Sequence, residues 1–309
     1  MSKVLVTGAS GFVGRHCAAE LAARGYEVHA LTRRADADAG ADVTWHRGSL
    51  LDVGPVEEVL AAVRPRALLH LAWHQVPGEL YTSLDNHRWV ASSLRLLEAF
   101  RTAGGERVVM AGSSAEYDWR YGYCSEDVTP LAPRSVYGVC KKALGALFRS
   151  FCDGTAVSGA WARIFFLYGP HEHPRRLVAS VVRSLLAGDK AKTSHGGQLR
   201  DYLHVEDAAR ALVTLLAGDV TGAVNVGSGR PTALGDIITG IGRRLDAEHL
   251  VEWGAVPVPE DDPPLVVADV RRLRSEVGWS PRLSLDQGLE QTIAWWRREL
   301  GEPDATPAA

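Results

Sequence analysis

An α/β fold is the architecture this sequence predicts: a doubly wound parallel sheet covered on both faces, with a smaller α/β lobe at its carboxyl edge. Three observations lead there. Short β-branched runs alternate with Ala/Leu-rich helical runs through the first half of the chain. A glycine triplet stands where the first strand meets the first helix. After Gly169 the alternation gives way to loops rich in proline, histidine and arginine between further helices. Strands and helices alternating at this spacing imply parallel βαβ units with right-handed crossovers.

Taken in order, KVLVTG (3–8) is a β-branched strand bounded by glycine, and VGRHCAAELAARG (13–25) is a helix with Gly25 as its stop. YEVHALTRR (26–34) and VTWHRGSL (43–50) read as strands, and PVEEVLAAVR (55–64) as a helix with proline in its first turn. RALLHLAW (66–73) is a buried strand, WVASSLRLLEAFRTAG (89–104) a helix and RVVMAGS (107–113) the next strand. VYGVCKKALGALFRSFCDG (136–154) is helical and SGAWARIFFLYG (158–169) is a strand. Beyond the loop PHEHPRR (170–176) come helices at 177–188, within 201–218, at 235–246 and at 285–300, the short strand AVNVGS (223–228) and a proline-rich stretch, 256–265. The expected division is a dinucleotide-binding unit over 1–169, to which part of 201–228 returns. A substrate lobe covers 170–200 and 229–302, and 303–309 is a frayed tail.

The composition narrows the function classes. The chain has 309 residues, 46% hydrophobic and 23% charged, with a formal net charge of −3. Neither nucleic acid nor an anionic membrane surface favours such a balance. Cys17, Cys124, Cys140 and Cys152 form no CxxC pair and have no metal-ligand spacing, which reads as free thiols in a reducing compartment. The strand KVLVTG follows Met1 too closely for a signal peptide, and no apolar run approaches membrane-helix length. A cytoplasmic protein is expected. HEH (171–173) has no third candidate ligand beside it, so no metal site is expected.

VTGASGFVG (6–14) contains Gly8-x-x-Gly11-x-x-Gly14 between strand and helix. Gly8 permits the tight turn, Gly11 lets backbone amides approach a pyrophosphate, and Gly14 lets the helix lie close to the sheet. Ser10, Phe12 and Val13 complete that loop, and Leu50, Leu71 and Ala72 at neighbouring strand ends are expected to line the same dinucleotide. An acid at the end of the second strand would bond the ribose hydroxyls. Here Thr32 stands in that place, followed by Arg33 and Arg34. Guanidinium groups suit a 2′-phosphate, which favours NADP(H). Asp36 and Asp38 lie near enough to pair with the arginines, which leaves NAD(H) as the other reading.

Tyr137 and Lys141 stand four apart on a helix and share a face. A nearby ammonium stabilises a phenolate, so Lys141 is expected to lower the Tyr137 pKa and let it exchange a proton near neutrality. Upstream, GSSAEY (112–117) places two hydroxyls at a strand end.

With these residues in this order, the chain resembles the extended short-chain dehydrogenase/reductases, the NAD-dependent epimerase/dehydratase group that acts on nucleotide sugars. TGASGFVG, HLAW (70–73), GSSAEY, YGVCK (137–141), RIFFLYGP (163–170), RDYLHVEDAARA (200–211), NVGSG (225–229) and VGWSP (277–281) fall in family order along essentially the whole chain. The resemblance implies a Rossmann sheet. Counting back four residues from Tyr117 makes Ser113 the catalytic hydroxyl beside Tyr137 and Lys141, which the resemblance also sets against the cofactor with Lys141 orienting its ribose, and makes Ser114 a further substrate contact. A one-residue deletion before Tyr117 would give the role to Ser114 instead.

Family members that dehydrate sugars carry acids directly after the catalytic hydroxyl, where this chain has Ser114 and Ala115. Glu116 comes one position late on a segment expected to be extended, and so points elsewhere. That leaves hydride transfer at a carbonyl. The favoured expectation is an NADPH-dependent 4-ketoreductase of a nucleotide-diphosphate 4-keto-6-deoxy sugar. The alternatives are a 4-epimerase with tightly held NAD and, from another class, a non-catalytic NADP-binding sensor. Arg200 matches the family position that grips the diphosphate, Arg175 borders the sugar channel beside Arg176, and Glu116, Tyr117 and Trp119 are candidates for the pocket wall. Trp89 replaces a common asparagine, either closing the pocket or filling the core. The family also implies a homodimer through helices 89–100 and 136–154.

Overall fold

The computed structural model describes residues 2–33, 42–52, 54–76 and 78–301. Its centre is a seven-stranded sheet of β1 (Lys3–Thr7), β2 (Glu27–Thr32), β3 (Val43–Arg47), β4 (Ala67–His70), β5 (Arg107–Ser113), β6 (Ser158–Ile164) and β7 (Gly222–Val226). The strands run in the order β7-β6-β5-β4-β1-β2-β3, every neighbouring pair parallel. The order reverses between β1 and β4, which opens a crevice at the carboxyl ends of those strands.

Strand alternation explains the two covered faces. Val4 and Val6 of β1 pack with Cys17 and Leu21 of α1 (Phe12–Ala23) and Leu212 and Leu216 of α6 (Val205–Ala217). Leu5 points the other way, into Leu60 of α2 (Pro55–Val63), Leu96 and Leu97 of α3 (Asp85–Thr102), and Leu144 and Phe148 of α4 (Val136–Asp153). Each fully buried aliphatic chain there contributes about 1.5–3 kcal/mol. Gly25, at φ +79°, ends α1 as its sequence position implies. α3 begins four residues before Trp89, because Asp85 suits the first turn and Ser83 Oγ accepts the Asp85 amide at 3.2 Å.

A third apolar cluster joins α5 (Leu177–Leu186), α7 (Leu234–Arg244) and α9 (Leu285–Glu299) through Val182, Ile238, Ile241 and Trp296. α8 (Arg271–Ser275) lies between α7 and α9 in the chain. Beside this cluster a four-stranded sheet runs Thr232–Ala233, Leu199–Arg200, Leu265–Ala268, Tyr123–Cys124. No sequence signal marks 123–124 as a strand. Two residues give no periodicity, and their pairing with Val267 and Ala268 forms only in the folded chain. Among the described residues no helix is long and apolar enough to cross a membrane.

Candidate active site

A cavity of about 1050 Å³ occupies the crevice. Gly8, Ser10, Gly11, Phe12, Val13 and Gly14 form one wall. Gly8 has φ +74°, and a Cβ there would lie 2.7 Å from the Ala72 nitrogen. A Cβ on Gly14 would lie 2.0 Å from the Gly8 carbonyl oxygen, so α1 starts hard against the loop. The first-turn amides of that helix have no intrahelical acceptors, the usual setting for a phosphate. These close approaches are what a dinucleotide cradle requires, and the residues fit the group.

Thr32, Arg33, Leu50, Leu71 and Ala72 line the same cavity, with Thr32 buried and Arg33 exposed. Arg34, Asp36 and Asp38 lie outside the described residues. The β1–β4 junction is held by a side-chain relay. Ser93 Oγ donates to the Trp89 carbonyl at 2.7 Å and so accepts from His70 Nε2 at 2.8 Å. His70 Nδ1 then accepts from Thr7 Oγ1 at 2.6 Å. Burial, aided by Lys141, pushes His70 down to about 3, consistent with this neutral tautomer.

Ser113, Ser114, Ala115, Tyr137 and Lys141 converge on the cavity from β5 and α4. Ser135 caps α4 by accepting the Gly138 amide at 3.0 Å, which sets Tyr137 in the first turn. Of the two hydroxyls at the end of β5, that of Ser113 interacts with the Tyr137 phenol. Lys141 Nζ donates to the Ala111 carbonyl at 2.8 Å and lies 3.6 Å from the centroid of the Trp73 ring.

The electrostatics differ from the sequence expectation. Burial pushes the Tyr137 phenol up, and only Ser113 and a more distant Arg176 ease it back. Burial also drives Lys141 down to about 7, with Glu116 and Cys140 favouring its charged form. The ammonium is turned toward Ala111 and Trp73, 5.9 Å from the Tyr137 ring centroid, and does not offset the desolvation of the phenol.

Glu116 also departs from its expected role. The chain after Ser113 is one 3₁₀ turn, Ser114–Glu116, closed by a capping box with Ser113, not an extended segment. This turn drives Glu116 into the core, where it pairs with Arg163 at 2.9 Å and is absent from the cavity wall. Tyr117 is buried likewise, its hydroxyl donating to Asn225 Oδ1 at 2.7 Å. Trp119 does line the cavity. Trp89 serves both roles left open, packing in the core and reaching the cavity wall.

On the opposite side stand His171, Glu172, His173, Arg175 and Arg176. Arg200 does not join them: it pairs with Asp262 at 2.8 Å, donates to the Pro263 carbonyl at 2.8 Å, and lies behind Phe166. Its acidic partner comes from the proline-rich stretch, which sequence reasoning had not connected with it. Trp73, Tyr81 and Trp295 line the cavity without having been singled out. Tryptophan at a strand end reads as core filling, and only the HLAW motif marked Trp73 at all.

The model of the NAD dependent epimerase/dehydratase family matches residues 4–227. A dTDP-glucose 4,6-dehydratase of Xanthomonas campestris pv. campestris is 28% identical over 96% of this chain and 93% of its own. A UDP-glucose 4-epimerase of Mycolicibacterium smegmatis is 29% identical over 96% of this chain and 99% of its own. The structure of MoeE5 in complex with UDP-glucuronic acid and NAD superimposes with a TM-score of 0.84 at 31% identity, covering 96% of this chain and 100% of that one.

Proposed function

The chain belongs to the NAD dependent epimerase/dehydratase family, and from that premise we propose that it uses NADPH to reduce the C4 keto group of a nucleotide-activated 4-keto-6-deoxy sugar. The observation that carries this reading is the cavity wall after Ser113. Ser114 and Ala115 face the cavity, and the one acid of the turn, Glu116, is buried behind it. Elimination of water needs a positioned base, and alanine supplies none. Ser113, Tyr137 and Lys141 remain as a set suited to hydride exchange at a carbonyl.

Bound dinucleotide supplies the hydride. Ser113 Oγ donates a hydrogen bond to the ketone oxygen, and the Tyr137 phenol holds the proton which that oxygen takes up. A phenol held largely protonated by burial suits the donor in a reduction. Lys141 brings positive charge to the floor of the site. Arg33, a cation on the cavity wall at the end of β2, supports the reading of a 2′-phosphate, and Arg175 with Arg176 offers charge to the substrate diphosphate. The outward side of α4 exposes Val139 and Leu147, in keeping with a homodimer through α3 and α4.

A second reading, a nucleotide-sugar 4-epimerase that retains NAD, draws support from MoeE5, whose complex contains NAD and a UDP-sugar. Cofactor titration separates the two. Preference for NADPH over NADH, with free exchange on dialysis and loss of that preference in Arg33→Ala, supports the reductase. NAD that co-purifies and does not exchange overturns it in favour of the epimerase.

A further inference from the structure

Glu116 is wholly buried, and its oxygens take three N–H donors: the Ser113 amide at 2.7 Å, the Trp161 indole at 2.9 and 3.0 Å, and Arg163 Nε at 2.9 Å. Arg163 in turn donates to the Tyr117 hydroxyl at 3.0 Å. The backbone before Ser113 lies directly on this group, since a Cβ on Gly112 would meet Trp161 Nε1 at 2.4 Å and Glu116 Oε1 at 2.7 Å. A buried ion pair often stabilises a fold no better than apolar residues of the same volume. Its place beneath the catalytic hydroxyl therefore calls for a reason beyond packing.

We propose that Glu116 is a positioning residue. Through the Ser113 amide it fixes the Ser113 hydroxyl toward Tyr137, and its carboxylate, packed against Gly112 next to the Ala111 carbonyl that takes Lys141 Nζ, sets the field in which the ammonium sits. The proposal rests on the assignment of Ser113, Tyr137 and Lys141 as the reacting set. The groups around Lys141 fit it. Trp73 offers a ring face, Ala111 a carbonyl, Cys140 a thiol and His70 a neutral imidazole, which leaves Glu116, among the described residues, as the carboxylate acting on the ammonium. Burial works against that charge and Glu116 works for it. The capping box ties both effects to one side chain, because the carboxylate that sets the field also holds the Ser113 amide.

The test is a pH titration of Lys141 by NMR, with lysine side chains labelled and Lys141→Met used for assignment. Glu116→Gln alone strands Arg163 as an unpaired buried charge, so the paired variant Glu116→Gln/Arg163→Met is measured beside it. In the paired variant the Lys141 midpoint is expected to fall by of order one pH unit, while Lys3, Lys142, Lys190 and Lys192 stay in place. A folded paired variant with Lys141 unmoved overturns the proposal.

The unaltered protein gives a second readout. The Ser113 amide is expected to exchange its hydrogen only on global unfolding, and rapid exchange overturns the anchoring half. Neither readout needs substrate. Failure to reduce any keto sugar with the Lys141 shift intact retires the reductase reading alone. Keto-sugar turnover with Lys141 unmoved retires the role of Glu116 alone.

Discussion

The Lys141 ammonium lies over the Trp73 ring, 3.6 Å from its centroid. That ring is anchored, because its Nε1 donates to Asn86 Oδ1 at 2.7 Å and Asn86 Nδ2 donates to the Leu80 and Ser83 carbonyls at 2.9 and 2.8 Å. The charge at the floor of the cavity thus rests on an aromatic face fixed from behind by the start of α3.

Trp73→Leu should remove a desolvated cation–π contact worth about 2 kcal/mol. Since about 1.4 kcal/mol is one pKa unit, Lys141 should lose its proton of order one unit below its present value of about 7. The alkaline limb of any activity that needs the ammonium then moves to lower pH. Lysine NMR and the pH–rate profile check this, and an unmoved limb would show that the ring is only packing.

Tyr137→Phe and Ser113→Ala should each lower turnover by at least about a hundredfold, the usual contribution of a positioned proton donor. Dinucleotide affinity should stay nearly constant, because neither change touches the glycine loop. Calorimetry paired with steady-state rates distinguishes this from general damage to the site.

Gly14→Ala places a methyl group 2.0 Å from the Gly8 carbonyl oxygen, a distance that only a shift of α1 can relieve. The expected result is a loss of dinucleotide affinity of tenfold or more, about 1.4 kcal/mol, with the rest of the fold intact. Gly25→Ala is the control: it disturbs a glycine at φ +79°, at the far end of the same helix and with open space around it.

Glu172 makes stability depend on pH. It is buried at the cavity wall between His171 and His173, and Oε2 has no hydrogen-bond partner. Burial raises its pKa from 4.5 to about 8. A carboxyl with a raised folded-state pKa contributes stability that is whole below about 4.5 and is lost as pH rises through about 8. Glu172→Gln should therefore gain on the native protein by up to a few kcal/mol above that range, and by little near pH 5. Urea unfolding at the two extremes measures the difference, and equal gains at both would exclude a buried ionisation.

Much of this molecule is legible from local pattern. The glycine spacing located the cradle, and β-branched runs located the strands of the main sheet. Gly8, Ser10 and the loop residues from Gly11 to Gly14, with Thr32, Arg33, Leu50, Leu71 and Ala72, reach one cavity because strand order delivers them there. Glu116 and Arg200 did not, for a common reason. Each is a charged side chain whose partner, Arg163 or Asp262, is remote in sequence, and residue type cannot say whether such a charge meets a ligand or another residue. Trp73 is hidden for a different reason, since its contact with Lys141 depends on where β4 ends relative to α4.

The four-stranded sheet beside the cavity draws its strands from positions 123–124, 199–200, 232–233 and 265–268. In between, the chain returns to the main sheet to lay down β6 and β7. A segment ending at Gly169 would keep β6 without its neighbour β7, and Cys124 without Ala268. Recombination that exchanged the substrate side between relatives would have to carry several separate stretches together, each in register with the others. Inheritance through such an interleaved chain favours new specificity by single substitutions around the cavity over the trading of whole modules.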